Sequence, residues 1–426
     1  MKVAFDLRPL QIGHQYRGIG ICLQNILKEL QNSPVAVKGW DLVFYIFENQ
    51  PKPEILKNYT LPHRILTTEE TKPRNSRLRI VRYLNGMYAS WRKASSIDRL
   101  PEINDIDIFV QFDFLLGVPK PSNLKTVLLK YDIIPLVLEG YYLPTYRQVK
   151  NKTNSINQAI RAHRHRIRYL LLLKRALERA DLVLAISEHT KLDLITYLKT
   201  NKQKIKVLHL AADNQSFSTS KVPAYRLPSL DWRFIKGQER YRTFDLLHKP
   251  YLLYVGGVDP RRKLSDLIAA YNILKSENID CCLVLIGYDF QNIATIPNEK
   301  AKKSIQSSSY GNDIYFLGFV SPEEKNLLYE NALAFVYPTL YEGFGIPVLE
   351  AMENNCPVIC YDNSSLREVG GSSALYARSV NDIVEITKDL ISNKKHLENI
   401  RKAGLQQSKN FNWAKTTKLF IKNITG

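Results

Sequence analysis

Two doubly wound α/β units in tandem are the architecture this sequence predicts, and three observations predict it. Short apolar runs alternate with segments of helical periodicity. The alternation begins afresh after a stretch without clean period, and the charge divides at the same boundary. Strands alternating with helices imply parallel sheets covered on both faces. Two such units facing across a cleft would bind ligands at the carboxyl ends of their strands. The 426 residues, 45% of them hydrophobic, suffice for two or three domains.

In the first half the apolar runs are 3–7, 41–47, 106–112, 126–129 and 182–186. The first is followed by a loop ending Tyr16-Arg17-Gly18-Ile19-Gly20 and by a helix with Ile21, Ile26, Leu27 and Leu30 on its apolar face. Residues 213–249, holding Pro223 and Pro228, read as a linker between an N-terminal domain, 1–212, and a C-terminal domain, 250–405. In the second half strands are expected at 251–255, 282–286, 314–317, 334–337 and 358–361. Helices are expected at 264–275 and 323–332 and from Pro347. Residues 406–426, with Trp413, Leu419, Phe420 and Ile424 apolar, read as a terminal helix crossing back to the N-terminal domain.

Composition narrows the class. No run approaches the roughly 18 consecutive apolar residues of a membrane-spanning helix. The opening Met1-Lys2-Val3-Ala4-Phe5-Asp6 meets an acid at once, unlike a secretory signal, so a cytoplasmic location is expected. Cys22, Cys281, Cys282, Cys356 and Cys360 lack zinc or disulfide spacing and read as buried free thiols. Of the formal net charge of +19, residues 1–212 carry +16 (34 Lys and Arg against 18 Asp and Glu) and the remainder +3. A positive field of this kind attracts phosphate, whether on lipid, nucleotide or nucleic acid.

The most informative stretch is 337–352, YPTLYEGFGIPVLEAM. A strand ends near Tyr337, a glycine-containing loop follows, and Pro347 suits the first turn of a helix. Gly343 and Gly345 leave backbone N–H groups accessible beside a helix N-terminus, which favours an anion. Glu342 in the loop and Glu350 one turn into the helix can each accept two hydroxyl hydrogen bonds, as a sugar offers. The pattern fits a sugar beside a phosphate. It resembles the donor motif of retaining glycosyltransferase family 4, the glycogen synthase and mannosyltransferase-like group, whose members have the GT-B fold. The resemblance implies Glu350 as ligand of the nucleotide ribose. It also implies Glu342, Gly343, Phe344 and Gly345 as sugar and phosphate contacts, with Val348 and Leu349 beside them.

A second motif, Val255-Gly256-Gly257-Val258-Asp259-Pro260-Arg261-Arg262-Lys263, follows a strand and precedes a helix. Its cations could neutralise a diphosphate and stabilise it as a leaving group. It is similar to the family's Gly-x-x-x-Pro-Arg-Lys signature with one extra arginine. The phosphate pair is therefore either Arg261-Arg262 or Arg262-Lys263, with Gly257 alongside. Gly18 and Gly20 lack the third glycine of a dinucleotide fingerprint; the resemblance implies that their loop closes over the donor phosphate. Tyr131-Asp132 stands where many relatives have His-Asp, so Asp132 is either a site residue or a turn cap.

Residues 72–93 hold seven Lys and Arg and no acid, with Ile80, Val81, Leu84, Met87, Tyr88 and Trp91 at helical spacing; residues 147–175 add nine cations and again no acid. Such stretches are either core helices with a solvated cationic rim or a peripheral contact with an anionic membrane. The resemblance as a whole implies a retaining, metal-independent hexosyltransferase acting in cell-surface glycan assembly. Its acceptor would be lipid-linked or a polysaccharide, and no cofactor is expected beyond the donor. Asp6, Arg17-Gly18-Ile19-Gly20 and Asp132-Ile133-Ile134-Pro135 are most similar to bacterial mannosyltransferases, which puts GDP-mannose first among donors and UDP-sugars next. A nucleotide-sugar epimerase or hydrolase of similar fold would instead convert the donor alone. A nucleic-acid-binding protein rests on the charge only, since no RNA or DNA module is recognisable; nucleic acid is not expected as a partner.

Overall fold

The structure is a computed structural model and describes residues 1–12, 18–68, 100–212 and 249–426. Tyr16 and Arg17, the whole basic run 72–93 and the linker residues 213–248 lie outside the described residues. The chain divides into two units, Met1–Leu210 with Asn412–Gly426, and Ala211–Phe411.

The first unit is built on a seven-stranded parallel sheet in the order β3-β2-β1-β4-β5-β6-β7. Its strands are β1 (Lys2–Asp6), β2 (Asp41–Phe47), β3 (His63–Thr68), β4 (Ile108–Gln111), β5 (Lys125–Lys130), β6 (Leu182–Ala185) and β7 (Ile205–Val207). Its longer helices are α1 (Gly18–Asn32), α2 (Tyr146–Thr153), α3 (Ile156–Arg179) and α4 (Glu188–Leu198). β4 and β6 are buried at every position, as strands covered on both faces must be, and so read as unbroken apolar runs. The helices start where side chains satisfy their free N–H groups. Thr145 and Gln148 form a reciprocal cap on α2, and Ser155 and Ser187 cap α3 and α4.

The second unit repeats the plan with six parallel strands in the order β10-β9-β8-β11-β12-β13. They are β8 (Tyr251–Val255), β9 (Cys282–Ile286), β10 (Ile314–Gly318), β11 (Ala334–Tyr337), β12 (Val358–Tyr361) and β13 (Leu375–Ala377). The helices that matter below are α5 (Leu264–Ser276), α6 (Pro322–Asn331), α7 (Ile346–Glu353), α8 (Val380–Ser392) and α9 (Lys394–Ser408). Each sheet reverses its winding direction once, between β1 and β4 and between β8 and β11. These are the positions where a doubly wound sheet opens a crevice at its carboxyl edge.

The terminal helix α10 (Trp413–Thr425) belongs to the first unit. Phe420 packs 6.1 Å from Phe5 of β1, Thr416 Oγ1 donates to His209 O at 2.8 Å, and Lys125 Nζ donates to Ile424 O at 2.9 Å. A lysine on the last carbonyls of a helix also suits its dipole. The return begins at Asn412, not at 406. α9 runs to Ser408, and Gln407 Nε2 donates to Val369 O at 3.0 Å, which holds that last turn on the second unit.

All five cysteines are free and buried. Burial pushes the thiols of Cys22, Cys356 and Cys360 up to about 12 and that of Cys281 up to about 11. The thiolate is the reactive form. Native protein should therefore show almost no fast reaction with Ellman's reagent at pH 8, and all five thiols should titrate in denaturant. A stoichiometric fast phase in the native protein would contradict this packing.

Candidate functional site

The carboxyl ends of β8 and β11 flank the switch point of the second sheet, and both sequence motifs emerge there. After β8 the chain turns through Gly256, at φ 144°, where a Cβ would fall 1.7 Å from Arg262 Nη1. After β9, Gly287 at φ 154° lets the backbone come so close that a Cβ would fall 2.2 Å from Gly256 O. Only glycine allows both approaches. Gly257 packs against Asp289, whose Oδ2 accepts from Val258 N at 2.8 Å.

The two motifs are joined by a buried ion pair. Arg261 Nη1 donates to Glu342 Oε1, and the same oxygen accepts from Tyr337 OH at 2.6 Å and Thr339 Oγ1 at 3.3 Å. Glu342 is 8% exposed. The backbone adds a stitch, Leu340 N to Arg261 O at 2.8 Å. Although burial works against its charge, the Glu342 carboxylate holds the Arg261 guanidinium above its ordinary value. Ser365 Oγ donates to Glu342 O and Phe344 O, and Ser364 Oγ accepts from Glu342 N, so the acidic loop is fixed from the segment after β12.

The other two cations are placed differently. Arg262 lies 5.6 Å from the centre of the Tyr337 ring. Burial opposes its charge too, and Tyr337, Tyr254 and Glu342 outweigh that. Its Nε is buried without a hydrogen-bond acceptor, 3.9 Å from Glu342 Oε1. Lys263 adopts a left-handed backbone, φ 46°, at the head of α5, and its ammonium makes no ion pair among the described residues. Left-handed non-glycine residues are strained and concentrate at functional sites. Arg261 is thus occupied by Glu342, which leaves Arg262 and Lys263 with unmet hydrogen-bonding capacity.

Glu350 sits on α7. Its Oε1 takes Lys325 Nζ at 2.8 Å and its Oε2 takes Tyr329 OH at 3.4 Å, both from α6. Gly345, at φ 106°, caps α7. Val348 and Leu349 are fully buried, and Phe344 packs its ring 5.8 Å from Phe411. Their side chains are core, while Glu350 on the same eight-residue helix is half-buried.

In the first unit, Gly18 and Gly20 lie in the first turn of α1, not in the loop before it, and Gly20 is buried. Asp132 Oδ1 accepts from Ile134 N at 2.9 Å and so caps the turn after β5. Asp6 is fully buried, paired with Arg8 at 2.7 Å and hydrogen-bonded by Gln111 Nε2 at 2.6 Å. Asp105-Ile106-Asp107 has the Asp-x-Asp spacing that many transferases use for a metal. It lies at the amino end of β4, and Asp107 accepts from Lys2 N at 2.7 Å. Among the described residues no three His, Cys, Asp or Glu side chains converge as a metal site.

Residues 239–407 match the family described as Glycosyl transferases group 1. The match lies within the second unit and spans less than half of the chain. It is 30% identical over 257 residues to O-antigen chain mannosyltransferase B of Escherichia coli, covering 59% of this chain and 62% of that protein. It is 28% identical over 310 residues to the serotype-specific mannosyltransferase WbdA of Escherichia coli, covering 71% of this chain and 33% of the relative. The chain thus spans less than two thirds of either relative's length. The structure of Anabaena Alr3699/HepE, solved with UDP and glucose, superimposes over 100% of both chains with a TM-score of 0.65 at 14% identity, a likeness of fold. The matched stretch includes every residue of the acidic and cationic motifs.

Glu342→Ala would leave the Arg261 guanidinium buried and unpaired. Breaking such a pair costs about 3–5 kcal/mol, or a drop of ~10 °C in the melting midpoint for a unit of this size. Calorimetry should show that loss, and an unchanged midpoint would remove the ion pair from its structural role.

Proposed function

We propose that this chain transfers a hexose, mannose first, from a nucleotide diphosphate-sugar to a lipid-linked or polysaccharide acceptor, with retention of configuration and without a divalent metal. GDP-mannose leads among the donors, with UDP-sugars next. The observation that carries the reading is the cation set at the β8–β11 switch point. One arginine is tied to Glu342, while Arg262 Nε and Lys263 Nζ have no acceptor among the described residues. A diphosphate supplies the oxygen acceptors these donors lack. The two relatives, both mannosyltransferases by name, support mannose.

In this reading Arg262 and Lys263 bind the diphosphate and stabilise its charge as the glycosidic bond breaks, where transferases of other kinds use a metal ion. Glu342, preset by Arg261 and Tyr337, and the backbone of Gly343 to Gly345 position the sugar. Glu350 accepts the ribose hydroxyls while Lys325 and Tyr329 hold its carboxylate in place. Gly18, Gly20 and Asp132 belong to the first unit, and the reading of this site stands without them.

Glu350→Gln should weaken a free nucleoside diphosphate about ten- to a hundredfold in calorimetry, the worth of a charge-assisted hydrogen-bond set. Lys325→Met, which spares the carboxylate, should cost less. Lys263→Ala should lower kcat/KM about a hundredfold or more while excess EDTA leaves the wild type active. Equal affinities in Glu350→Gln would remove it from the donor site; loss of turnover in EDTA, restored by magnesium, would overturn the metal-free mechanism. Conversion of donor without acceptor would favour an epimerase or hydrolase.

A further inference from the structure

Helix α3 is more than a cover for the first sheet. Ala159, Leu173, Ala176 and Leu177 are buried, and Arg166 on that side pairs with Glu139 at 2.7 Å and donates to Leu143 O at 2.8 Å. Turned away from the core are Ile156, Ile160, Ile167 and Leu171, exposed by 57%, 38%, 39% and 57%. At about 100° per residue these four positions fall within roughly 60° of the helix circumference. They form one straight aliphatic stripe. Arg161 and Arg168 are exposed along its flank, with half-buried Arg175 beyond them, and at its end Lys174 pairs with Glu178 at 3.9 Å. Helix α2 packs against α3 and brings Arg147, Lys150 and Lys152. From residue 140 to residue 177 there is no Asp or Glu.

We propose that α3 is an interfacial helix that docks the first unit on an anionic lipid surface. The aliphatic stripe enters the acyl boundary and the flanking arginines meet headgroup phosphates, the arrangement of a helix lying in the membrane plane. Charge selects this occupant over the others. In a symmetric dimer through α3 each stripe would meet its own copy, bringing two predominantly cationic rows together. A nucleic acid would take the cations and leave four large aliphatics in water. The proposal is independent of the sugar-transfer reading.

The test is co-sedimentation of the full chain with vesicles of phosphatidylcholine alone or with about a third phosphatidylglycerol, at low and high salt. Binding is expected to the anionic vesicles and to fall at high salt, because exposed charges are screened beyond a Debye length of about 10 Å at 0.1 M. A variant combining Ile160→Ser, Ile167→Ser and Leu171→Ser should lose about tenfold or more in partitioning, and so should Arg161→Gln with Arg168→Gln and Lys174→Gln. Both variants should keep the wild-type melting midpoint and nucleoside diphosphate affinity, since the substituted side chains already face water. Absence of binding to anionic vesicles at low salt overturns the proposal, as does undiminished binding by the aliphatic variant. A dimer that the aliphatic variant dissociates, without vesicle binding, would assign the stripe to self-association and likewise overturn it.

Discussion

The ion pair between Arg261 and Glu342 is the constraint on which the site depends. It crosses the switch point of the second sheet and ties the loop after β8 to the loop after β11. A buried pair of this kind is costly to assemble and more costly to break, because either partner left alone is a charge out of water. The surrounding chain meets that cost with hydrogen bonds: Tyr337 and Thr339 saturate the same carboxylate oxygen, and the serines after β12 fix the loop backbone. With Arg261 committed, Arg262 Nε and the Lys263 ammonium keep unmet hydrogen-bonding capacity among the described residues.

The glycines explain why the cations can gather there at all. Gly256 gives up its Cβ to the Arg262 guanidinium, and Gly287 gives up its own to the Gly256 carbonyl, so the ends of β8 and β9 converge without side chains between them. The groups gathered at this edge include glycine backbone, the Arg261 and Arg262 guanidinium groups, the Glu342 carboxylate and the hydroxyls of Tyr337 and Thr339. Such a lining favours a polar, anionic ligand over an apolar one, and it is carried by elements of a rigid parallel sheet.

Much of the fold was legible in the sequence, and the physical reason is burial on two faces. β4, β6, β8, β9, β11 and β12 are apolar runs because helices cover both sides of them. β3 and β7 escaped notice because they are edge strands. β3 has no buried position and β7 is three residues long. β13 is equally short. The acidic and glycine residues of the site were legible from spacing on a strand–loop–helix unit. Lys325 and Tyr329 were not, because they reach Glu350 from a helix whose approach is tertiary; their i, i+4 spacing places them on one face but names no target. Spacing likewise could not tell which arginine of Arg261-Arg262-Lys263 was committed to an acid. Nor could it tell that Val348 and Leu349 turn inward.

The account is tested most directly by the melting midpoint of the whole protein in excess EDTA with GDP-mannose, GDP, a UDP-sugar or mannose alone. A ligand at a hundred times its Kd stabilises the native state by about 2.7 kcal/mol, and a unit of this size responds with a rise of ~5–10 °C. The account predicts that a nucleoside diphosphate and its sugar conjugate produce that rise in chelator and that free mannose does not. A midpoint unmoved by every nucleoside diphosphate, or moved only when magnesium is restored, would contradict it.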